Sequence, residues 1–378
     1  MGDHDAIIIG TGQSGPSLAR RLVAAGQKVA VIERNSSAAL ASIPDAHPPR
    51  RSLDADRIFI NVGGRALAPS IPQVPYLTNS SMMDVDFLPQ HLIVLGGSYI
   101  GLEFAQVYRR FGSEVTVIEL APRLIAREDE DVSSAVAEFL KEEGVDVRVD
   151  SKVVGVEKRG NRIAVKVEST GKISQVVGTH VLVAIGRRPN TDDLGLDKAG
   201  IATDARGYIQ VDDQLRTNVP GIWAIGDCNG RGAFTHTSYN DFEIVAANIL
   251  DNDRRRVTDR ITAYALYTDP PLGRVGMTEA EVRKTGKPAL ISTMPMEDVS
   301  RAFEKGETKG FMKILVDRES KQFLGASFLG LAGDEVVHCI LALMYAKAPY
   351  TVMQRATHIH PTVSELIPTM MGELKPLQ

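Results

Sequence analysis

Three glycines near the start of the chain, Gly10, Gly12 and Gly15, have the spacing G-x-G-x-x-G. They directly follow the apolar run Ile7–Ile9 and precede a segment with apolar residues at helical spacing, after which a second apolar run ends in Glu33. In such a setting the glycines permit a tight turn, close approach of a diphosphate and close helix–strand packing. The helix N-terminus offers N–H groups to phosphates, and Glu33 can accept hydrogen bonds from a ribose diol. The pattern predicts a dinucleotide-binding unit.

The same arrangement occurs a second time, with Gly96, Gly101 and Glu119 each 86 residues after its counterpart (96 − 10 = 86). Its helix is predicted over Ser98–Phe111, and the repeat therefore predicts two dinucleotide sites. Ser98 replaces the second glycine of the first unit. Serine is small enough to let a diphosphate approach the backbone, but we expect its backbone to adopt a positive φ less easily than that of glycine.

Composition limits the classes of function that remain. A chain of 378 residues is expected to form two or three domains. The net charge of −4 gives no general attraction to nucleic acid or to an anionic membrane surface. We see no signal peptide and no apolar run near the roughly 18 residues that would span a bilayer, so a cytosolic protein is expected. Cys228 and Cys339, far apart in sequence, favour neither a disulfide framework nor a metal site.

Hydrophobic periodicity predicts further strands and helices along the chain. The predicted strands are Arg57–Val62, Val145–Val149, Lys152–Lys158, Arg162–Glu168, His180–Ile185, Phe311–Val316 and Phe323–Leu329. The predicted helices are Asp131–Glu143, Asp241–Leu250, Gly333–Lys347 and Tyr350–Ala356. A loop is predicted over Asn35–Asp56, and a separate α+β domain from about Thr262.

Five motifs stand in a fixed order: GTGQSG with Glu33, GGSYIG with Glu119, GRRPN, a strand ending in Ile225-Gly226-Asp227, and HIHPTVSE. This order resembles the FAD-dependent pyridine nucleotide–disulfide oxidoreductases, in particular dihydrolipoamide dehydrogenase and mercuric-reductase-like members. The resemblance implies an α/β fold with two Rossmann-like dinucleotide-binding domains, one inserted in the other, plus a C-terminal α+β dimerisation domain. The expected bounds are 1–84 and 206–258 for FAD, 85–205 for NAD(P)H and 259–378 for the homodimer interface.

The resemblance also implies roles for individual residues. Glu103 matches an acid beside the nicotinamide, Tyr99 an aromatic gate over the flavin, and Asp227 a ligand of the flavin ribitol. His360 and Glu365 match an acid–base dyad that one subunit offers to the other. The cofactor-binding residues expected for FAD and NAD(P)H are Gly10, Gly12, Gly15, Glu33, Gly63, Gly226, Asp227, Gly96, Gly97, Ser98, Tyr99, Gly101, Glu119 and Gly186.

One departure from the family pattern affects the expected chemistry. The family carries two cysteines with four residues between them, followed shortly by a lysine, after the first acidic residue. Here only 24 residues separate Glu33 from Ile58, and none is a cysteine. Asn61-Val62-Gly63-Gly64 also replaces the usual Ala-Thr-Gly-Ser. Cys228 and Cys339 are expected to pack in the core. No metal ligand set is expected.

Two functions remain open at this stage. The first is an NAD(P)H-dependent flavoprotein oxidoreductase without the redox disulfide, passing electrons to a small-molecule acceptor such as oxygen, a quinone or a dye. Glu119 disfavours a 2′-phosphate and so favours NADH, whereas Arg123 leaves NADPH open. The alternative is a truncated, non-catalytic relative that binds nucleotide and dimerises. The fold of Ser36–Asp56 is expected to discriminate between them.

Overall fold

The computed structural model describes residues 4–33, 52–69 and 74–377. Most of the predicted loop Asn35–Asp56, and with it most of Ser36–Asp56, lies outside these ranges. The chain forms two compact units: unit 1 comprises Met1–Arg65 and Arg187–Arg260, and unit 2 comprises Ala66–Gly186 and Ile261–Gln378. Part of unit 2 is thus inserted between the two segments of unit 1. The four predicted domain bounds stay a prediction.

The strands in the described ranges are β1 (His4–Ile9), β2 (Val29–Ile32), β3 (Ala55–Ile60), β4 (Gly64–Ala66), β5 (His91–Leu95), β6 (Glu114–Ile118), β7 (Asp146–Arg148), β8 (Lys152–Arg159), β9 (Arg162–Ser169), β10 (Lys172–Gly178), β11 (His180–Val183), β12 (Arg187–Pro189), β13 (Ile222–Ala224), β14 (Ala263–Leu266), β15 (Leu272–Gly276), β16 (Ala289–Pro295), β17 (Phe311–Asp317), β18 (Phe323–Leu329) and β19 (Lys375–Pro376).

The α-helices in the same ranges are α1 (Ser14–Ala24), α2 (Tyr99–Arg110), α3 (Glu130–Glu142), α4 (Thr235–Leu250), α5 (Glu279–Thr285), α6 (Ser300–Lys305), α7 (Gly333–Val336), α8 (His338–Tyr345), α9 (Tyr350–Arg355) and α10 (Ile367–Gly372). Single turns of 3₁₀-helix occur at Ser81–Asp84, Gly226–Asn229, Val257–Asp259, Met296–Asp298 and Ser364–Leu366. None of the helices in the described part of the chain combines the length and the apolar character needed to cross a membrane.

Unit 1 contains a parallel sheet in the strand order β13-β3-β1-β2. Helix α1 buries Leu18 and Leu22 against this sheet, where they share a core with Ile8 and Phe59. Its exposed face carries Arg20 and the half-exposed Arg21, as the helical spacing predicts. The glycine turn follows β1, at the carboxyl end of the sheet, where open α/β sheets bind ligands.

Unit 2 repeats this plan with the parallel sheet β11-β5-β6-β7, and helix α2 follows the second glycine turn. A three-stranded antiparallel sheet, β10-β9-β8, is also part of unit 2. Residues 261–377 form the six-stranded antiparallel sheet β14-β15-β18-β17-β16-β19 with helices α5 to α10. One core contains Leu92 and Leu102 of the nucleotide-type half together with Leu272 and Leu329 of the six-stranded sheet.

The α/β fold class with two nucleotide-type units and a C-terminal α+β part is confirmed. Two local predictions are corrected, and one strand was not predicted. Helix α4 begins at Thr235 and not at Asp241, because Thr237 caps its N-terminus and polar residues form its first turns. The helix predicted over Gly333–Lys347 is broken into α7 and α8. Strand β10 was not predicted; its outer residues are exposed, which weakens the apolar alternation.

Replacing Gly101 by alanine tests the close packing of the second turn. An added Cβ would clash with the carbonyl oxygen of Gly96. We expect G101A to lower the free energy of unfolding by about 1–3 kcal/mol, measured by urea denaturation. The matched control is G372A, a glycine at the end of α10 whose added Cβ meets no atom within 4 Å. G372A should change the free energy of unfolding by less than about 0.5 kcal/mol. Equal effects of the two substitutions would contradict this account.

Candidate active site

In the first glycine turn of unit 1, the three glycine positions present backbone that no side chain covers. Gly10 has a φ of +102° and lies against the carbonyl of Asn61, and a Cβ at Gly15 would lie 2.6 Å from the Gly10 oxygen. Glu33 closes the turn, because its Oε2 accepts hydrogen bonds from the Thr11 amide (2.8 Å) and the Thr11 hydroxyl (2.5 Å). A turn of this shape at a helix N-terminus fits the diphosphate and adenosine ribose of a dinucleotide.

The second turn repeats the same contact at the equivalent positions. Glu119 Oε2 accepts from the Gly97 amide at 2.5 Å, and its Oε1 accepts from the Ala121 amide at 2.7 Å. Gly96 has a φ of +108°. Ser98 is extended, with a φ of −106°, and Gly12 does not adopt a positive φ either. The concern about the serine was therefore misplaced, because this position of the turn does not require glycine geometry.

Asn61, in unit 1, is one of the residues that depart from the family pattern. Its buried side-chain amide donates to the carbonyl oxygens of Gly10 and Gly12, both at 3.3 Å. The equivalent position at the end of β11 is Ala184, whose side chain has no donor. The sequence signal for this role is a polar residue directly after an apolar strand. Such an amide is buried, and a buried amide is almost always hydrogen-bonded.

Asp227 lies in a 3₁₀ turn directly after β13 in unit 1. Burial raises its pKa, against the opposing charge of Arg187, whose Nε is 3.7 Å from Asp227 Oδ2. The buried Asp241 accepts from the Gly226 amide at 2.8 Å and forms an ion pair with Arg260. Asp241 thus fixes the turn that carries Asp227, and no sequence pattern distinguishes it.

Gly63 follows β3 in unit 1, and Gly186 follows β11 in unit 2. They have φ values of +62° and +133°, and an added Cβ at either would meet no atom within 4 Å. Each turn is therefore open on the side of the missing side chain. Because the φ values are positive, glycine is favoured here for backbone reasons alone.

Glu103 lies on α2 in unit 2, four residues after Tyr99. Burial raises the pKa of Glu103, and the hydrogen bond from the Tyr267 amide to its Oε1, at 2.9 Å, opposes this effect. Tyr99 is half-buried, and its hydroxyl donates to Glu128 Oε1 at 2.8 Å. Both residues thus contact other parts of unit 2.

Beneath the start of α3 lies a buried cluster of charges that the sequence analysis missed. Arg274 and Lys313, each 1% exposed, extend from the six-stranded sheet. Arg274 Nη1 is 3.7 Å from Glu128 and 3.5 Å from Asp129, while Lys313 Nζ bonds both oxygens of Asp131 at 2.8 and 2.7 Å. Burial alone would lower the pKa of Lys313, but the hydrogen bond to Asp131 and the nearby carboxylates raise it. The cluster fixes the segment Glu128–Asp131 on the sheet.

His360 and Glu365 form the predicted pair in unit 2. The Nδ1 atom of His360 lies 3.1 and 3.0 Å from the two carboxylate oxygens of Glu365. The histidine side chain is 73% exposed, whereas that of Glu365 is 14% exposed. The carboxylate therefore orients an imidazole that is open to solvent.

The predicted site residues divide between the two units. Unit 1 contains Gly10, Gly12, Gly15, Glu33, Gly63, Gly226 and Asp227. Unit 2 contains Gly96, Gly97, Ser98, Tyr99, Gly101, Glu103, Glu119, Gly186, His360 and Glu365. Within the described ranges, no group of three or more His, Cys, Asp or Glu side chains is arranged to hold a metal ion.

Comparison with known proteins identifies the family. The pyridine nucleotide-disulphide oxidoreductase model matches residues 44–241, and the model of the dimerisation domain of these enzymes matches residues 262–371. The chain belongs to the pyridine nucleotide–disulfide oxidoreductase family. The members of this family are flavoenzymes that use FAD and NAD(P)H.

Three curated relatives illustrate the similarity. The probable pyridine nucleotide-disulfide oxidoreductase RclA of Escherichia coli (strain K12) is 35% identical over 87% of this chain and 75% of its own length. The mercuric reductase of Streptomyces lividans is 34% identical over 82% of this chain and 65% of its own length. The dihydrolipoyl dehydrogenase of Thermus scotoductus is 35% identical over 74% of this chain and 60% of its own length. The chain thus spans less than two thirds of the latter two.

Two solved structures share the fold. The HOCl-induced flavoprotein disulfide reductase RclA from Escherichia coli matches with a TM-score of 0.89 and 30% identity, over 97% of this chain and 99% of that one. LpdA from Mycobacterium tuberculosis matches with a TM-score of 0.81 and 25% identity, over 95% of this chain and 80% of that one.

The thiols provide a direct test of the site. Cys228 is fully buried, and burial raises its pKa to about 12. Only about one thiol in ten thousand would be a thiolate at pH 8, and the thiolate is the reactive form. We expect the native C339S variant, whose single cysteine is Cys228, to show no reaction with a thiol reagent at pH 8, and one reactive thiol after unfolding.

The control for this measurement is C228S, which keeps only the half-buried Cys339. Burial raises the pKa of Cys339 as well, but the side chain remains partly accessible, so slow labelling of the native protein is expected. Rapid labelling of native C339S would contradict the structure and return Cys228 to consideration as a redox thiol.

Proposed function

We propose that this chain is a homodimeric NADH-dependent flavoprotein oxidoreductase. Unit 1 would hold FAD and unit 2 would hold NADH, and bound FAD would supply a ring able to accept a hydride from the nicotinamide. No redox disulfide within the printed sequence takes part, and the electrons leave to a small-molecule acceptor. The carrying observation is the repeated turn, in which a carboxylate at the end of the second strand accepts from the amide after the first glycine.

The residues of unit 1 fit FAD as a resident cofactor. Gly10, Gly12 and Gly15 would hold the diphosphate, Glu33 the adenosine ribose, and Asp227 the ribitol. Bound FAD supplies a ring that accepts a hydride and releases electrons to a second substrate. The protein supplies binding and orientation.

The acceptor is proposed to be a small molecule because neither cysteine suits a redox relay. The Cys228 thiol lies against the carbonyl oxygens of Ile60 and Ile225, and Cys339 is half-buried on α8.

His360, held at Nδ1 by Glu365, has Nε2 left to hold or deliver a proton. Oxygen or a quinone would need such a proton on reduction.

The preference for NADH rests on the surroundings of Glu119. Its two oxygens are fixed by backbone amides, so a negative charge stands where the ribose 2′ position would lie. Arg123, the residue that left NADPH open, donates from Nη2 to the carbonyl oxygens of Ala126 and Glu128 at 3.2 and 3.3 Å. Its charge is directed to its own loop, which removes the main argument for NADPH.

The decisive experiment is an absorbance spectrum of the purified protein, followed by anaerobic addition of NADH. We expect a yellow protein whose flavin absorbance is bleached by NADH and restored by oxygen or a quinone. A protein that stays colourless when FAD is added would refute the flavoenzyme. NAD⁺ binding and dimerisation without any NADH consumption would instead support the non-catalytic alternative.

The nucleotide preference is tested by calorimetric binding of NAD⁺ and NADP⁺. The wild-type protein should bind NAD⁺ roughly tenfold or more tightly than NADP⁺, because Glu119 repels the 2′-phosphate. E119Q removes the charge but keeps the shape, and should reduce this ratio to about one. The matched control is E33Q, which makes the same change in unit 1 and should leave the ratio unaltered. Tighter binding of NADP⁺ by the wild-type protein would overturn the argument.

A further inference from the structure

Tyr99 occupies a sensitive position in unit 2. It is the first residue of α2 and directly follows the turn Gly96–Ser98. A helix N-terminus that follows such a turn is where the diphosphate of a dinucleotide binds, so the Tyr99 ring lies beside the proposed NADH site. The family resemblance implies that this ring is a gate over the flavin, where the nicotinamide must enter, and a gate has to move.

The contacts of Tyr99 argue against free swinging. Its hydroxyl and that of Tyr264, on β14, both donate to Glu128 Oε1, at 2.8 and 2.6 Å. The two rings meet edge to face, with centroids 5.5 Å apart and planes at 84°. The half-buried Tyr99 ring also packs against the core that contains Leu102 and Leu272. A swing would break both the ring contact and a hydrogen bond to a charged group.

Glu128 itself cannot follow a moving tyrosine. Its side chain is fully buried, and its Oε2 lies 3.7 Å from Arg274 Nη1. In the described part of the chain, no nitrogen of the Arg274 guanidinium has a hydrogen-bond partner, so this buried cation depends on the nearby carboxylates of Glu128 and Asp129. Movement of Glu128 towards solvent would leave Arg274 with less compensation, which is costly in a buried site. Arg123 also holds the Glu128 carbonyl.

We propose that Glu128 is a positioning residue for the NADH site, and that it holds Tyr99 as a fixed wall of that site. The inference rests on the proposed function for the assignment of NADH to this turn. The fixed ring keeps the turn open for the diphosphate and limits the positions that the nicotinamide can take. A ring released from Glu128 would sample other rotamers over the turn and compete with the nucleotide.

The direction in which the Y99F substitution changes the Kd for NAD⁺ distinguishes a fixed wall from a gate. Y99F keeps the ring and removes the hydroxyl that binds Glu128. For a fixed wall, the calorimetric Kd for NAD⁺ should rise roughly fivefold, the scale expected when one immobilised side chain is freed. For a gate, Y99F should lower the Kd, because no hydrogen bond then opposes the swing. The measurement needs no turnover and no bound flavin.

The matched control is Y264F. It removes a hydroxyl that donates to the same carboxylate oxygen and also interacts with the Tyr99 hydroxyl, but it keeps the direct hydrogen bond from Tyr99 to Glu128. Its Kd for NAD⁺ should stay within about twofold of wild type, while its loss of thermal stability should resemble that of Y99F. E128Q, if it folds, should behave as Y99F does. An unchanged or lower Kd in Y99F, or an equal rise in Y264F, overturns the inference. Failure of the wild-type protein to bind NAD⁺ refutes the assignment of NADH to unit 2, and this inference with it.

Discussion

Each nucleotide-type unit depends on one close approach of backbone to backbone. The carbonyl of the residue that directly follows β3 in unit 1 and β11 in unit 2 lies against the first glycine of the turn, and the carbonyl of that glycine lies against the third glycine. Side chains at these positions would separate the helix from the sheet. The turn lies at the carboxyl ends of the strands, where open α/β sheets bind ligands. The acid that follows the second strand accepts a hydrogen bond from one backbone amide of the turn. Fold and binding site therefore have the same cause.

Features that depend on short-range pattern could be predicted from the sequence. Strand β18 has the bounds predicted from its apolar run, and α2 and α3 agree with their predicted bounds within one residue. The register of the repeat predicted which glycines and acids are equivalent. Both units show these equivalences as hydrogen bonds of Glu33 and Glu119. Local periodicity carries such information because a helix and a strand each bury one face at a fixed residue spacing.

Features that depend on distant residues could not be predicted. Glu128 is 136 residues from Tyr264, and Lys313 is 182 residues from Asp131. A charged residue in a loop is usually solvated, so nothing in the amino-acid sequence indicates that Glu128 is buried. The role of Asn61 had a similar obstacle, since its partners are carbonyls of a turn 49 and 51 residues away. Tertiary packing alone decides such contacts.

Asn61 also makes the two otherwise matching turns unequal. Its amide ties two carbonyl oxygens of the first turn, whereas Ala184 leaves the second turn without this clamp. A prosthetic group has to remain bound through every catalytic cycle, while a co-substrate must depart once in each. If unit 1 holds FAD and unit 2 holds NADH, as proposed above, the turn with the additional clamp is the one whose ligand has to stay bound. The turn without it is then the one whose ligand has to exchange.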